Sequence, residues 1–267
     1  MFASSADGSD IFSRAIEGQA TLLTRAAHDI AYNEVHDEFT IANPLAQAIL
    51  TFRGGASGNE APIRVIQGPL TQIVEPGHGV IVDPVHDELF VADGEYILVF
   101  PRTASGNVAP IRVLRGPKTR LSQAKGLAVD PINDLLVVTS EENRNIRLPS
   151  GQQRRGAWIM IFNRTAQGNT APLRVIEGSK TLINRISNLR LTPKGWIVTH
   201  ASGGLAVWNV HDQGDVPPRW ILGGPKSQIT GGGIIRIALN HKAKEVILTG
   251  GSGSLGGIRV YSFPEIF

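Results

Sequence analysis

Short apolar runs separated by turn-forming residues dominate the chain. One representative stretch contains four of them: Gly79 to Val82, Glu88 to Ala92, Tyr96 to Phe100 and Ile111 to Leu114. The runs alternate or are continuously apolar, are rich in Val, Ile and Leu, and are bounded by Gly, Pro, Asn and Asp, which is typical of β-strands. No 11-residue window shows a clear 3.6-residue period. The pattern therefore predicts an all-β protein with almost no helix.

The runs recur in five similar units. Each unit contains a segment of the form Arg-x-Ile/Leu-x-Gly, and the five segments begin at Arg14, Arg64, Arg112, Arg174 and Arg219. A loop such as Ala56-Ser57-Gly58-Asn59 precedes three of them. Four short strands in a repeat of about 45 to 50 residues are typical of a β-propeller blade.

The units predict one domain over residues 1–267, a five-bladed β-propeller with four antiparallel strands in each blade. The expected blades are about 26–68, 76–116, 124–178, 186–223, and 233–267 together with 9–18. The last unit stops after a third strand, and Ile11 to Glu17 aligns with the fourth strands of the other units. We expect this N-terminal strand to complete the last blade, which would leave no unpaired edge at the junction.

Two of the units resemble a known repeat. The segments Pro76-Gly77-His78-Gly79-Val80-Ile81-Val82-Asp83 and Asp87-Glu88-Leu89-Phe90-Val91-Ala92-Asp93, together with Lys125 to Asp130, are similar to the NHL-type repeat. The resemblance spans essentially the whole chain and implies a propeller. Proteins with this repeat include binding scaffolds, lactonases, lyases and other enzymes, so no single activity follows. Propellers of this type are often six-bladed, and the five units depart from that number.

The resemblance also implies where a site would lie. In propellers, the start of the innermost strand and the end of the second strand meet at the mouth of the central channel. The units differ most in side-chain chemistry at these positions, which favours a functional role there. Four metal-ligand candidates are His28, His78, Asp93 and His200. Imidazole and carboxylate together suit a divalent transition metal, whereas the competing interpretation is a set of polar residues hydrated by ordered water.

Further candidates at the channel mouth are suited to ligand binding. Six of them are polar or charged residues at the same positions of the units: Asp29, Asn43, Lys125, Ser140, Asn188 and Arg236. The third unit adds an insert, residues 141–156, on the same face. It carries Arg144, Arg147, Arg154 and Arg155. The insert is either a lid whose arginines bind a carboxylate or phosphate, or a solvated loop.

Two other repeated features are expected to be structural. The five repeated arginines should pair with carboxylates of neighbouring blades. His36 and His86 occupy equivalent positions in tight hairpins on the opposite face. No catalytic residue is assigned.

Composition narrows the function classes. The chain of 267 residues has no Cys, which excludes disulfides, thiolate metal sites, iron–sulfur clusters and a cysteine nucleophile. Lys and Arg total 26 against 23 Asp and Glu, and this net charge of +3 gives little support to nucleic-acid binding. No run approaches the roughly 18 apolar residues of a membrane span. No signal peptide is expected, and the compartment stays open.

Three functions remain at this point. The first is a binding scaffold, expected to be monomeric, whose small-molecule or protein ligand engages the channel-mouth face. The alternative is a metal-dependent hydrolase or lyase with a His/Asp site there. A weaker alternative is RNA binding through the basic insert at 141–156.

Overall fold

A computed structural model of the protein describes residues 11–76, 79–147, 153–184, 186, 188–227, 229, 234–250 and 257–267, with only the backbone at 143–147, 153–155, 234 and 235. The strands are β1 (Asp29–Asn33), β2 (Glu38–Asn43), β3 (Ala48–Arg53), β4 (Arg64–Gln67), β5 (Gly79–Asp83), β6 (Glu88–Asp93), β7 (Tyr96–Pro101), β8 (Arg112–Leu114), β9 (Gln123–Asp130), β10 (Leu135–Arg147), β11 (Gln153–Asn163), β12 (Arg174–Ile176), β13 (Leu189–Leu191), β14 (Trp196–Ala201), β15 (Gly204–Asn209), β16 (Trp220–Gly223), β17 (Ile234–Asn240), β18 (Glu245–Gly250) and β19 (Gly257–Ser262). Short 3-10 turns occur at Gln19–Thr21, Pro44–Ala46, Pro69–Thr71, Pro117–Thr119, Pro225–Ser227 and Pro264–Ile266.

The strands form five antiparallel sheets in chain order. Four sheets have four strands each, β1–β4, β5–β8, β9–β12 and β13–β16, and β17–β19 belong to the fifth. Neighbouring strands in every sheet are consecutive along the chain, so each blade is an antiparallel meander. The predicted all-β, five-bladed propeller is confirmed.

The outer strands of blades one, two and three are each bound to the next blade by a glycine clasp, a pair of backbone hydrogen bonds to one glycine. Gly106 donates its N–H to the carbonyl oxygen of Val65 at 2.6 Å and accepts from the N–H of Gln67 at 3.2 Å. The same pair of bonds recurs at Gly168 and Gly214. These bonds hold the rim of the ring, in addition to the apolar contacts between blades.

The N-terminal segment makes the same clasp with blade one. Gly58 donates its N–H to the carbonyl oxygen of Ala15 at 2.6 Å and accepts from the N–H of Glu17 at 3.0 Å. Residues 15–17 therefore occupy the outer-strand position that precedes blade one, which is the fourth-strand position of blade five. Within the described residues the segment forms no continuous β-ladder with β19.

The apolar core lies between blades. The side chain of Val80 is buried with Ala31 of the preceding blade, and Phe100 belongs to the same cluster. Separate clusters fill the next interfaces in the same way, and Trp208 and Phe162 are completely buried within them. The middle strands β3, β6 and β15 are buried along nearly their whole length, because both faces of a blade pack against neighbouring blades.

The insert of the third unit extends a blade. Strands β10 and β11 continue beyond the blade as a hairpin, with Asn145 opposite Arg155 and Arg147 opposite Gln153. The register shifts between Glu141 and Asn145. The insert is therefore largely paired strand, and its interpretation as a loop is corrected because the backbone hydrogen bonds of its two arms satisfy each other. Residues 148–152 lie outside the described residues.

In each of two blades, at the end opposite the channel mouth, one glutamate carboxylate accepts hydrogen bonds from two arginines. The carboxylate of Glu88 accepts from Arg112 at 2.6 and 2.7 Å and from Nη1 of Arg164 at 2.6 Å. Arg112 lies in the same blade as Glu88, whereas Arg164 follows β11 of the next blade. The three side chains are mostly buried, so the bonds are screened little by solvent.

The same arrangement recurs one blade earlier, where Glu38 accepts from Arg64 and, at 3.0 Å, from Arg102. Arg64 and Arg112 belong to the repeated Arg-x-Ile/Leu-x-Gly segment, and each pairs with a carboxylate of its own blade. The expectation that these arginines pair with a neighbouring blade is wrong at these two positions. The outer strand lies in the same sheet as the glutamate, and the arginine that follows the third strand makes the contact between blades.

These clusters predict an acid-sensitive fold. Burial alone would raise the pKa values of Glu38 and Glu88, but hydrogen bonds and charge from Arg64 and Arg112, respectively, outweigh it and lower both from 4.5. A lowered folded-state pKa stabilises the fold fully above the unfolded value and is lost as the pH falls through the folded value. We expect the free energy of unfolding, measured in urea, to fall steadily below pH 4.5. A value constant between pH 5 and 3 would contradict this.

Candidate functional site

The start of each inner strand and the end of the second strand lie at one end of the blade. Asp29 of β1 is opposite Ala42 of β2, and Gly79 of β5 is opposite Ala92 of β6. The sequence candidates at these two positions are therefore brought to the same end of the propeller.

The first position of the inner strand points toward the next blade. Oδ2 of Asp29 accepts from the backbone N–H of Val80 at 3.1 Å, and Arg236 donates to the carbonyl oxygen of His28. At Gly126 an added Cβ would lie 2.9 Å from the backbone nitrogen of Leu189 in the next inner strand. The five equivalent positions are Asp29, Gly79, Gly126, Asn188 and Arg236. Glycine brings neighbouring strands close, whereas the other three place polar groups at the channel.

Two arginines flank the carboxylate of Asp29. Nε of Arg236 lies 3.8 Å from Oδ1 of Asp29. Arg190 donates from Nη1 to the carbonyl oxygen of Leu189 at 2.9 Å, and its charge also acts on Asp29. Burial raises the pKa of Asp29 against the opposing effects of Arg190, the Val80 N–H and Arg236. Burial lowers the pKa of Arg190, which the charge of Asp29 opposes.

Sequence reasoning missed Arg190, although a signal was present. It occupies the inner-strand position at which the other units have Ala31, Ile81, Ala128 and Ala238. A guanidinium in a position that is otherwise apolar is a departure from the repeat. Only the folded ring shows that this guanidinium lies near the carboxylate of Asp29.

Within the part of the chain that the structure describes, buried polar atoms of two candidates have no hydrogen-bond partner. Oδ1 of Asp29 accepts none, and neither Nδ2 nor Oδ1 of Asn188 forms one. Asn188 is only 1% exposed. Leaving such groups unpaired costs about 1–3 kcal/mol each, so they call for an explanation.

The predicted metal ligand Asp93 bonds to the backbone of the segment that enters its own blade. Its Oδ2 accepts from the N–H of Val74 at 2.6 Å and its Oδ1 from the N–H of Glu75 at 2.8 Å. Burial raises its pKa, while these two bonds lower it. The carboxylate thus fixes the chain between two blades.

Asn43 and Ser140 have the same role at equivalent positions. Oδ1 of Asn43 accepts from the N–H of Thr24 at 3.1 Å, and Oγ of Ser140 accepts from the N–H of Ser122 at 3.1 Å. Both side chains are completely buried. These two predicted ligand-binding residues therefore hold connecting segments at the mouth of the channel.

The remaining metal candidates are not seen together. His200 lies near the end of β14 and is partly buried, and His78 lies outside the described residues. In the part of the chain that the structure describes, no three His, Asp or Glu side chains converge as a metal site. The metal site stays a prediction.

The last sequence candidates are basic. Lys125 is mostly buried, and its Nζ lies 3.8 Å from Oε1 of Glu141. The insert arginines belong to the hairpin, but their side chains lie outside the described residues: Arg144, Arg147, Arg154 and Arg155.

A cavity of about 420 Å³ opens beside the charged cluster. Its polar lining comes from His28, Asp29, Arg190 and Arg236, and the rest is mainly aliphatic. The volume falls in the range of small-molecule sites, which are mostly apolar with a few placed polar groups.

Comparison with known proteins shows the fold alone. No family model matches the chain, and no curated protein matches it in sequence. A chain in the crystal structure of a mitotic checkpoint complex is similar with a TM-score of 0.57 and 12% identity, over 89% of this chain and 63% of that one. A chain of Kuenenia stuttgartiensis hydrazine synthase is similar with a TM-score of 0.56 and 11% identity, over 85% and 57%.

The chain spans less than two thirds of the length of each of these similar chains. The propeller is shared, but the comparisons do not confirm the NHL repeat. Among the described residues, no helix has the length and apolar character needed to cross a membrane.

Proposed function

We propose that this protein is a binding scaffold and that its channel-mouth face holds a ligand beside Asp29, Asn188 and the two arginines. The observation that carries this proposal is the unmet hydrogen-bonding capacity of Asp29 and Asn188, both buried at the channel. A polar ligand would supply the missing partners.

The contacts between inner strands use only part of the bonding capacity of these polar groups. Gly79 and Gly126 occupy the same position in two other blades and allow close contact between inner strands. At the remaining positions, Oδ1 of Asp29 and the side-chain amide of Asn188 add a desolvation cost without a hydrogen bond in return. That cost is understandable where the side chains serve recognition.

A propeller is well suited to this task because its rigid blades hold residues of distant sequence position around one channel. A similar propeller occurs in a checkpoint complex, which is an assembly of proteins. The likeness supports a scaffold in general terms, and the ligand is argued from the residues of this chain.

The test uses ligand-observed NMR with five small probes: acetate, acetamide, imidazole, guanidinium and inorganic phosphate. We expect at least one probe to bind the wild-type protein and to bind at least tenfold more weakly to Asn188→Ala or Asp29→Asn. Lys194→Ala is the matched control, because this exposed residue lies in the turn at the other end of β13 and β14. Equal binding of every probe to wild type and variants, or no binding at all, would overturn the proposal.

A further inference from the structure

Blade five leaves the inner strand of blade one partly uncovered. Four residues that hold one equivalent inner-strand position in the other blades are at most 3% exposed: Val80, Leu127, Leu189 and Ile237. Ile30 of β1 holds this position in blade one and is 53% exposed. The side of β1 that faces blade five is therefore open.

The facing surface of blade five is exposed as well. Ala238 of β17 lies opposite Ile247 of β18, which lies opposite Val260 of β19, so the three side chains share one face of the sheet. Ala238 is exposed here, whereas the equivalent Ala31 and Ala128 are buried. Val260 is 54% exposed. An apolar cleft thus lies between the two blades.

The cleft contains the cavity of about 420 Å³ described above, whose aliphatic lining includes Ile30, Ile41, Ile237, Ala238 and Ile247. A second cavity of about 480 Å³ lies farther along the same face of blade one and shares Ile30 and Ile41 with the first. The cleft therefore has room for an extended apolar chain.

Asp29 and Arg190 line this cavity at its channel end. Oδ1 of Asp29 accepts no hydrogen bond, whereas Oδ2 is bonded to the N–H of Val80. Arg190 donates to the carbonyl oxygen of Leu189, which is its single hydrogen bond within the described part of the chain. A guanidinium has five N–H groups. The channel end thus offers a ligand one acceptor and further N–H donors.

The charges of these two groups favour a neutral ligand. Arg190 and Asp29 carry opposite charges and act on each other, and Arg236 already donates to the carbonyl oxygen of His28. An ionised carboxylate would place a second anion beside Asp29 and offer its Oδ1 no donor. An ammonium would place a second cation beside Arg190 and offer it no acceptor. A neutral group with both a donor and an acceptor bonds to both.

We propose that the cleft between blades five and one binds a neutral carboxamide with an unbranched apolar chain. The amide N–H donates to Oδ1 of Asp29, and the amide oxygen accepts from Arg190. The chain runs along Ile30 and Ile247. An amide carries its donor and acceptor on two atoms, whereas an alcohol has to bond to both groups through one oxygen. This inference rests on the proposed binding function and names the chemical class of its ligand.

Isothermal titration calorimetry with six-carbon probes tests the head group. We expect hexanamide to bind at least tenfold more tightly than hexanoate, hexylamine and hexanol. Methyl hexanoate and N,N-dimethylhexanamide keep the carbonyl oxygen but have no N–H, so each should also bind at least tenfold more weakly. Equal binding of hexanamide and any of these probes would overturn the carboxamide assignment.

A shorter amide tests the apolar part of the site. Affinity should rise about fourfold for each methylene between butyramide and hexanamide, because the cleft removes the chain from water. Equal affinities of the two amides would contradict burial of the chain in the cleft.

Variants test the position of the site. Arg190→Met removes the donor and should weaken hexanamide binding at least tenfold, whereas Arg190→Lys should retain part of it. The equivalent positions of the other blades hold alanine or isoleucine, so an apolar side chain fits this strand. Ala238→Phe should block the cleft. The matched controls are Arg53→Ala, at an exposed pair with Glu60, and Ile132→Phe, at a position that is 84% exposed.

The outcomes separate this inference from the proposed function. If a short polar probe binds in a manner that depends on Asn188 but hexanamide does not bind, the channel-mouth scaffold stands and the carboxamide class is wrong. Hexanamide binding that Arg190→Met and Ala238→Phe leave unchanged would place it elsewhere and overturn the cleft. Thermal unfolding of each variant confirms that the binding result comes from folded protein.

Discussion

Replacing Glu88 with glutamine is expected to lower the free energy of unfolding by about 3 kcal/mol. The change removes the negative charge that Arg112 and Arg164 share while keeping nearly the same shape. Two mostly buried guanidinium groups then lose their common partner, and the contact from blade three to blade two weakens. Urea unfolding at pH 7 measures the loss.

The matched control is Glu60→Gln, which removes a carboxylate paired with Arg53 at an exposed site. The control should leave the urea midpoint almost unchanged because solvent screens that pair. Glu88→Gln should also reduce the decline in stability below pH 4.5. Equal midpoints for the two variants would show that the buried cluster is not stabilising.

Replacing Gly79 with alanine is expected to lower the free energy of unfolding by about 2 kcal/mol, through overpacking between inner strands. An added Cβ would lie 2.7 Å from the backbone oxygen of Lys125 and 3.1 Å from Cγ of Leu127. The neighbouring strand has to move because the closest atom belongs to the backbone. Thermal and urea unfolding measure the effect.

Gly257→Ala is the control for that substitution. Gly257 also lies in a strand, but an added Cβ would meet nothing within 4 Å. It should be neutral or slightly stabilising, since alanine restricts the unfolded chain. If both variants lost the same stability, contact between inner strands would not explain the loss at Gly79.

The fold could be predicted from the sequence because the blades repeat the same pattern of strands and turns. Short runs that alternate or are continuously apolar mark the strands, and the recurrence of Arg-x-Ile/Leu-x-Gly marks the units. The glycine in the loop before the Arg-x-Ile/Leu-x-Gly segment is also repeated. Gly58 and Gly106 form the same pair of backbone hydrogen bonds to the preceding outer-strand position.

The candidate site could be predicted only in part, because its contacts join units that are distant in sequence. Asp29 and Arg236 were identified as departures from the repeat, but their contact depends on ring closure. Ile30 and Val80 look equivalent in sequence, and only the spacing of blades exposes one and buries the other. Asp93 was predicted as a metal ligand from its position, whereas its bonds to the N–H groups of Val74 and Glu75 are seen only in the folded blade.

The glycine clasps on the rim make the number of blades adjustable over evolutionary time. Blades one to four each carry a glycine that bonds to the preceding outer strand, and the outer strands of blades one to three each bond to the glycine of the following blade. A duplicated unit would therefore find both partners already present and would need no new type of contact.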